Sequence, residues 1–373
     1  MSRSDRAGFV GRGGRSALAI LAIALSSACG EPAGAPAPTP APASGRAVDA
    51  VLATGDLIGR YPERPEDPTG PLIEGAFALA VSDDAVYALD GVAGSVLRFD
   101  LDGRLTGRSG RPGDGPGELG SPIGIAAAPD GGVWVADPAG GRLVRFGRDG
   151  DPLETLRSPV PPVNMAVLPS GDVLLPTLNA TTMLARVTAD GATELAVDPA
   201  AVPPEVSGGP EDRLSLRGLL LTGVTDRRVA MLRNRHGTDF RLWTIELGPA
   251  ASGIATIAPL PLPDWLYTIL EEETDLVRST APPSFAEGEF LTPFKGMHAA
   301  NRRLWLVPAP SSRLIALSVP LEPGEGLTVV VGGREVWDGL IDAAVIDRRL
   351  FGLYDTELRV YELDESPVPF ELD

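Results

Sequence analysis

A chain of 373 residues with 44 glycines, 37 prolines and aromatics at only 5% argues against a helical bundle and for many short strands joined by tight turns. A formal charge of −18 repels nucleic acid and anionic headgroups, which disfavours a nucleic-acid partner. The hydrophobic fraction of 43% is ample for a core, and the length admits two ordinary domains or one large all-β domain.

Residues 1–28 read as an export signal. Arg3, Arg6, Arg12 and Arg15 make a basic head, followed by the apolar run Ala17 to Leu25. That run is too short to span a bilayer as a helix, yet it has the normal size of a signal-peptide apolar region. Next comes Leu25-Ser26-Ser27-Ala28-Cys29-Gly30. It resembles the lipobox of bacterial lipoproteins, in which small residues precede a cysteine that is lipidated and becomes the new N-terminus. The departure is Ser26, where that family usually carries Leu. Cys29 is the only cysteine, so no intramolecular disulfide forms, and lipid attachment accounts for its presence in an exported chain. Ordinary cleavage after Ala28, with Ser26 and Ala28 as a small-x-small site, is the competing reading. Removing residues 1–28 takes away four Arg and one Asp, so the formal charge goes from −18 to −21.

Residues 29–45 form the tether. Proline at nearly alternate positions between Glu31 and Gly45 favours an extended, semi-rigid spacer that lifts a domain off a surface. In the lipoprotein reading, Gly30 stands where an inner-membrane retention signal would carry Asp. That implies the periplasmic face of the outer membrane if the cell has two membranes.

Residues 46–373 carry a repeat. Ser82 to Asp90 is echoed by Pro129 to Asp137, and Ser95 to Phe99 by Arg142 to Phe146; Val86 and Val133, Asp90 and Asp137, and Phe99 and Phe146 are each 47 residues apart. A period of roughly 40–50 residues holding several short strands points to propeller blades. Weaker copies begin near Pro169, Asp226, Asn301 and Asp347, for about six blades of four antiparallel strands. The last copy ends one strand short near Leu363. The run from Ala47 to Ile58 supplies a strand that completes it and joins the two ends of the chain. A closed ring needs no caps, because each blade hides its faces against its neighbours.

The run Gly110-Arg111-Pro112-Gly113-Asp114-Gly115-Pro116-Gly117-Glu118-Leu119, with Pro122 to Ala126 and the strand Val133 to Asp137, resembles an NHL-type repeat. It is similar to six-bladed propeller lipoproteins of bacteria that carry a G-x-G-P-G-E loop. The resemblance covers Val81 to Gly150 and implies a propeller with a binding role, a family in which scaffolds and binders accompany a few enzymes. Fold analogy alone does not fix function.

Alternating strands bring Asp90, Asp114, Glu118 and Asp137 to one face near the central channel, which makes them the candidate binding-face residues. The bland reading of the glycine-rich loop is turn chemistry, with Glu118 capping neighbouring amides. Asp90 and Asp137 would hold Ca²⁺ only if further carboxylates converge, since that ion takes six to eight oxygens; a blade-local hydrogen bond is the competing role. His236 and His298 are the only histidines, so the three-histidine zinc site of similar amidating lyases cannot form. No G-x-S-x-G elbow surrounds a serine, and both histidines read as structural or exposed.

Between the fourth and fifth copies lies an insertion around residues 260–296. Asp264 to Ser279 has the apolar stripe of an amphipathic helix, with Trp265, Leu266, Ile269, Leu270 and Val277 on one face. It is either packed on the propeller's side or a lid over the channel. The leading expectation is a lipid-anchored binding module for a protein, peptide or glycan, without catalytic residues, metal or cofactor. A Ca²⁺-dependent hydrolase or lactonase using channel carboxylates and a structural subunit of an envelope assembly are the alternatives.

Overall fold

The structure is a computed structural model describing residues 47–62, 73–179, 182–188, 190–196, 219–234, 240–249, 253–280, 294–300, 302–308, 314–322 and 325–366. The signal, Cys29 and the tether lie outside them, as does His236. The described chain is built almost wholly of short antiparallel strands.

Four sheets have four strands each, paired in chain order. After the N-terminal strand β1 (Val48–Tyr61), the first holds β2 (Ala76–Val81), β3 (Val86–Asp90), β4 (Ser95–Phe99) and β5 (Leu105–Ser109). The second holds β6 (Gly124–Ala127), β7 (Val133–Asp137), β8 (Arg142–Phe146) and β9 (Pro152–Arg157). The third holds β10 (Ala166–Val167), β11 (Val173–Asn179), β12 (Thr182–Thr188) and β13 (Gly191–Leu195). The fourth holds β14 (Leu219–Thr225), β15 (Arg228–Asn234), β16 (Phe240–Leu247) and β17 (Ile254–Pro259). The 47-residue spacing in the sequence thus reappears as the equivalence of β3 with β7 and of β4 with β8.

The remaining strands form one sheet of eight, in the order β18-β19-β20-β21-β1-β24-β23-β22. Its members are β18 (Phe294–Ala300), β19 (Arg303–Pro308), β20 (Ala316–Pro320), β21 (Leu327–Val331), β22 (Leu340–Ile346), β23 (Arg349–Tyr354), β24 (Leu358–Glu365) and β1 (Val48–Tyr61). The first strand pairs antiparallel with the last, from Leu52 opposite Glu365 to Tyr61 opposite Leu358. This is the pairing the short final repeat called for. It also pairs parallel with β21, from Val48 opposite Leu327 to Ala53 opposite Val331, which repeat spacing did not foretell. A 14-residue strand is long enough to carry both ladders, so the four strands β18–β21 on one side and the three strands β22–β24 on the other fuse through it.

The core lies between neighbouring sheets and not at a single centre. Leu79, Phe99 and Phe351 pack between the first sheet and the β22–β24 group. Leu89, Leu119, Val135 and Phe146 fill the space between the first and second sheets. Further clusters join the second to the third, the third to the fourth, the fourth to the β18–β21 group, and that group to β22–β24. The innermost strands contact one another in the cycle β2, β6, β10, β14, β18, β22 and back to β2, so the four-strand units stand in a ring.

The insertion forms helix α1 (Asp264–Thr280), begun by Asp264 in its first turn. Its apolar stripe is in place: Leu266, Ile269 and Leu270 are buried. Tyr267 stacks on Phe240 with centroids 4.4 Å apart, and Phe240 meets Phe294 edge-on at 5.0 Å. Packed on the fourth sheet and on the start of β18, the helix is part of the wall between units; the side chain of Val277 lies outside the described residues.

Because β1 has partners on both edges, a proline within it removes a donor and distorts two ladders. Ala53→Pro is expected to lower stability by about 3 kcal/mol or more, measured by urea unfolding. Retention of the wild-type midpoint would show that β1 is dispensable.

Candidate functional site in the central channel

Each of the six inner strands is the end strand of its sheet or of the eight-stranded sheet. One edge of each therefore has no strand partner, and its backbone N–H and C=O groups face the axis. They surround a cavity of about 180 Å³, lined by β2, β6, β10, β14, β18 and by Asp342 of β22. At roughly 10–15 Å³ per water-sized position, that is room for about a dozen waters or a small ligand.

Small residues keep the bore open. Ala78, Ala80, Gly124, Ala126, Ala166 and Gly223 all contribute to its wall. Two open-edge donors are already taken by side chains: Leu79 N–H donates to Asp342 Oδ2 at 2.9 Å, and Leu221 N–H donates to Asn164 Oδ1 at 3.3 Å.

Ionisable groups in the wall gather in one sector: Lys295, His298 and Asp342. Asp342 is 3% exposed, and its Oδ1 accepts from its neighbour Ala343 N–H at 2.8 Å. The same oxygen lies 3.3 Å from His298 Nε2. The carboxylate thereby links three consecutive inner strands, β18, β22 and β2. Gly296 makes this approach feasible, because a Cβ there would collide with the Asp342 carboxylate.

Lys295 Nζ donates to the Leu340 carbonyl. Burial holds its amine below the ordinary lysine range, while the neighbouring Asp342 charge opposes that shift. The residue falls at a register shift between Phe294 and Gly296, matched by shifts between Ala76 and Ala78 in β2 and between Leu340 and Asp342 in β22. Such bulges re-aim side chains. Of the three residues they carry, Phe77, Lys295 and Ile341, only Lys295 lines the cavity.

The four acidic residues singled out in the sequence stand at the same end of the ring, where the second strand of each unit finishes. Asp90 is fully buried and accepts from the N–H groups of Glu74 at 2.7 Å, Gly75 at 3.2 Å and Ala93 at 2.9 Å. Asp137, also fully buried, accepts from Gly120 and Ser121 N–H at 3.0 and 2.9 Å and from Arg142 Nε at 2.9 Å. Arg142 continues to the carbonyls of Gly113, Asp114 and Glu118, fastening the glycine-rich loop to the second sheet. Glu118 accepts from Gly115 N–H at 2.8 Å and pairs with Arg111 at 2.8 Å. The Gly115 amide and the Arg111 guanidinium hold its carboxyl below the usual range. The Asp114 side chain is 91% exposed. The structure thus joins Asp137 and the loop in one network, holds Asp90 in the equivalent turn of the preceding unit, and lines the cavity with none of the four.

The sequence reading missed the channel cluster. Of the two roles expected for His298, structural or exposed, the structure excludes the exposed one: its side chain lies in the cavity wall at 11% exposure beside Asp342. Two signals were available: Asp342 interrupts the apolar run LIDAAVI, and Lys295 is the sole lysine in a chain whose other basic residues are all arginine. Asp342 is the only carboxylate lining the described cavity, and among the described residues no three His, Cys, Asp or Glu converge to hold a metal.

Breaking the Arg142 network leaves an uncompensated buried charge. Asp137→Ala is expected to cost about 3 kcal/mol in urea unfolding, and an unchanged midpoint would contradict that role. Gly296→Ala is expected to displace Asp342 and lower the thermal midpoint, whereas the same change at half-buried Gly141, whose added Cβ meets nothing within 4 Å, acts only through its positive φ.

Residues 70–182 match the family described as SMP-30/Gluconolactonase/LRE-like region. The stretch that resembles NHL repeats, Val81 to Gly150, falls inside that match. Nothing among curated proteins matches the chain. Similar solved structures include virginiamycin B lyase from Staphylococcus aureus, 14% identical, covering 78% of this chain and 96% of that one at a TM-score of 0.45. A gluconolactonase from Xanthomonas campestris is 12% identical over 78% and 86% at 0.46, and glutaminyl cyclase from Myxococcus xanthus 12% identical over 85% and 99% at 0.41. In its fold, this chain is an all-β propeller of four-stranded units.

Proposed function

We propose that the chain is a six-bladed propeller, with the eight-stranded sheet counted as two blades fused through β1, and that it serves as an extracytoplasmic binding module. The lipid on Cys29 and the spacer of residues 29–45 tether it to the envelope. A small polar ligand, or the polar tip of a peptide or glycan, enters the central channel. The observation that carries this reading is the channel itself: open backbone edges on every side, and Lys295, His298 and Asp342 gathered in one sector. Hydrogen-bonding edges favour a ligand rich in donors and acceptors over an apolar one.

The methionines provide the test. Met165 and Met297 line the channel, whereas Met183 and Met231 belong to the core between the third and fourth sheets. With ¹³C-methyl methionine labelling, a ligand in the channel is expected to shift the first pair and spare the second. Shifts confined to Met183 and Met231, or none across a panel of sugars, short peptides and hydroxy acids, would overturn channel binding. Cys29→Ala is expected to release the protein from membranes into the soluble fraction, and unchanged membrane retention would contradict the lipid anchor.

A second reading is hydrolytic. His298 beside buried Asp342 has the arrangement of a general base and the group that orients it, and the match of residues 70–182 to the SMP-30/Gluconolactonase/LRE-like region favours lactone substrates. In that case His298→Ala lowers kcat for lactone hydrolysis by about 10²–10⁴-fold. Equal rates for the two proteins would remove His298 from the reaction.

A further inference from the structure

We propose that Lys295 is the nucleophile of the channel and captures a small aldehyde or ketone as an imine. The inference rests on the channel-binding reading and names the ligand's reactive group.

Three independent observations converge on this residue. Lys295 is the chain's only lysine, so wherever else this protein places a basic side chain it uses arginine. Arginine is the better partner for a carboxylate or phosphate, because its planar fork binds two oxygens and its charge is permanent. What lysine offers in its place is an amine that can give up its proton and attack a carbon. A channel that needed only a fixed positive charge would be served by arginine.

The second observation is position. Lys295 lies at a register shift in β18 and is among the residues lining the cavity, while the residues at the matching shifts of β2 and β22 do not line it. The third is surroundings. Among the described residues Nζ has no ion-pair partner within 4.0 Å, and one of its donors goes to the Leu340 carbonyl. Desolvation dominates its titration and favours the neutral amine, the form that attacks. Asp342, whose charge works the other way, is itself engaged by Leu79 N–H, Ala343 N–H and His298.

The chemistry balances without any further reactant. The amine lone pair forms a C–N bond to the carbonyl carbon, and the oxygen takes up a proton to give a carbinolamine. Loss of that hydroxyl with the remaining N–H proton releases one water and leaves the imine. The proton the oxygen takes up is the one the attacking nitrogen loses, and His298 lines the same cavity. The cavity volume of about 180 Å³, room for about a dozen waters, restricts the ligand to a small carbonyl compound of comparable size.

A sole lysine makes the test direct. The full chain is incubated with glycolaldehyde at pH 7 together with Nα-acetyl-lysine as an ordinary amine, the imines are fixed with borohydride, and the adducts are located by peptide mass. An ordinary lysine is almost wholly protonated at that pH, so Lys295 is expected to be modified faster than the free amine. Lys295→Arg, which keeps the charge, is expected to abolish the adduct. A Lys295 rate equal to or below that of Nα-acetyl-lysine would overturn the proposal. If glycolaldehyde shifts the Met165 and Met297 methyl signals while no adduct forms on Lys295, channel binding stands and the nucleophile falls. If neither signal appears, the carbonyl-capture proposal falls, and channel binding is decided by the panel of sugars, short peptides and hydroxy acids.

Discussion

Everything in this fold depends on the ladders made by β1. A four-stranded unit has two apolar faces and cannot hide either by itself; each face needs the next unit, and the last needs the first. The six core clusters follow that requirement around the ring. Closure is entrusted to the N-terminal strand, which lies against β24 on one side and β21 on the other. The two extremities of the described chain are thereby held within one sheet. An opening of the ring there would expose the apolar faces of two units at once.

The same geometry that hides the faces leaves the inner edges bare. A blade's first strand has a neighbour on one side only, and the ring aims its free edge at the axis. An exposed edge is ordinarily a liability that proteins cover. Here the ring itself protects it from other chains, and the bared amides become a polar lining. Asp342 and Asn164 already exploit it, each accepting from an inner-strand N–H of a neighbouring unit. Asp342 therefore has two effects at once: it ties β18, β22 and β2 together and fixes the imidazole of His298 in the wall.

The outer acidic residues belong to a different layer of the design. Asp90 and Asp137 occupy equivalent turns and satisfy backbone N–H groups that would otherwise be buried without partners. Arg142 extends that function by gathering three carbonyls of the glycine-rich loop. Their repetition at a spacing of 47 residues reflects a structural need of each unit. The channel cluster shows no such repetition, since Lys295, His298 and Asp342 come from two strands that share no side chain pattern with the others.

How much could be read in advance follows from this contrast. Repetition, turn chemistry and apolar alternation are local properties, and they were enough for the four-stranded units, for the helix Asp264–Thr280 and for the pairing of the first strand with the last. The parallel ladder between β1 and β21 was not legible, because nothing in either strand's pattern distinguishes one outer neighbour from another. Nor was the channel cluster: Lys295 and Asp342 are separated by a whole unit in sequence and meet only because the ring brings β18 beside β22. The sequence alone determined what each unit is and where its turns lie. Which edges face inward, and which three side chains share that space, only closure of the ring decided, because a channel wall is made by strands that are neighbours around an axis and not along the chain.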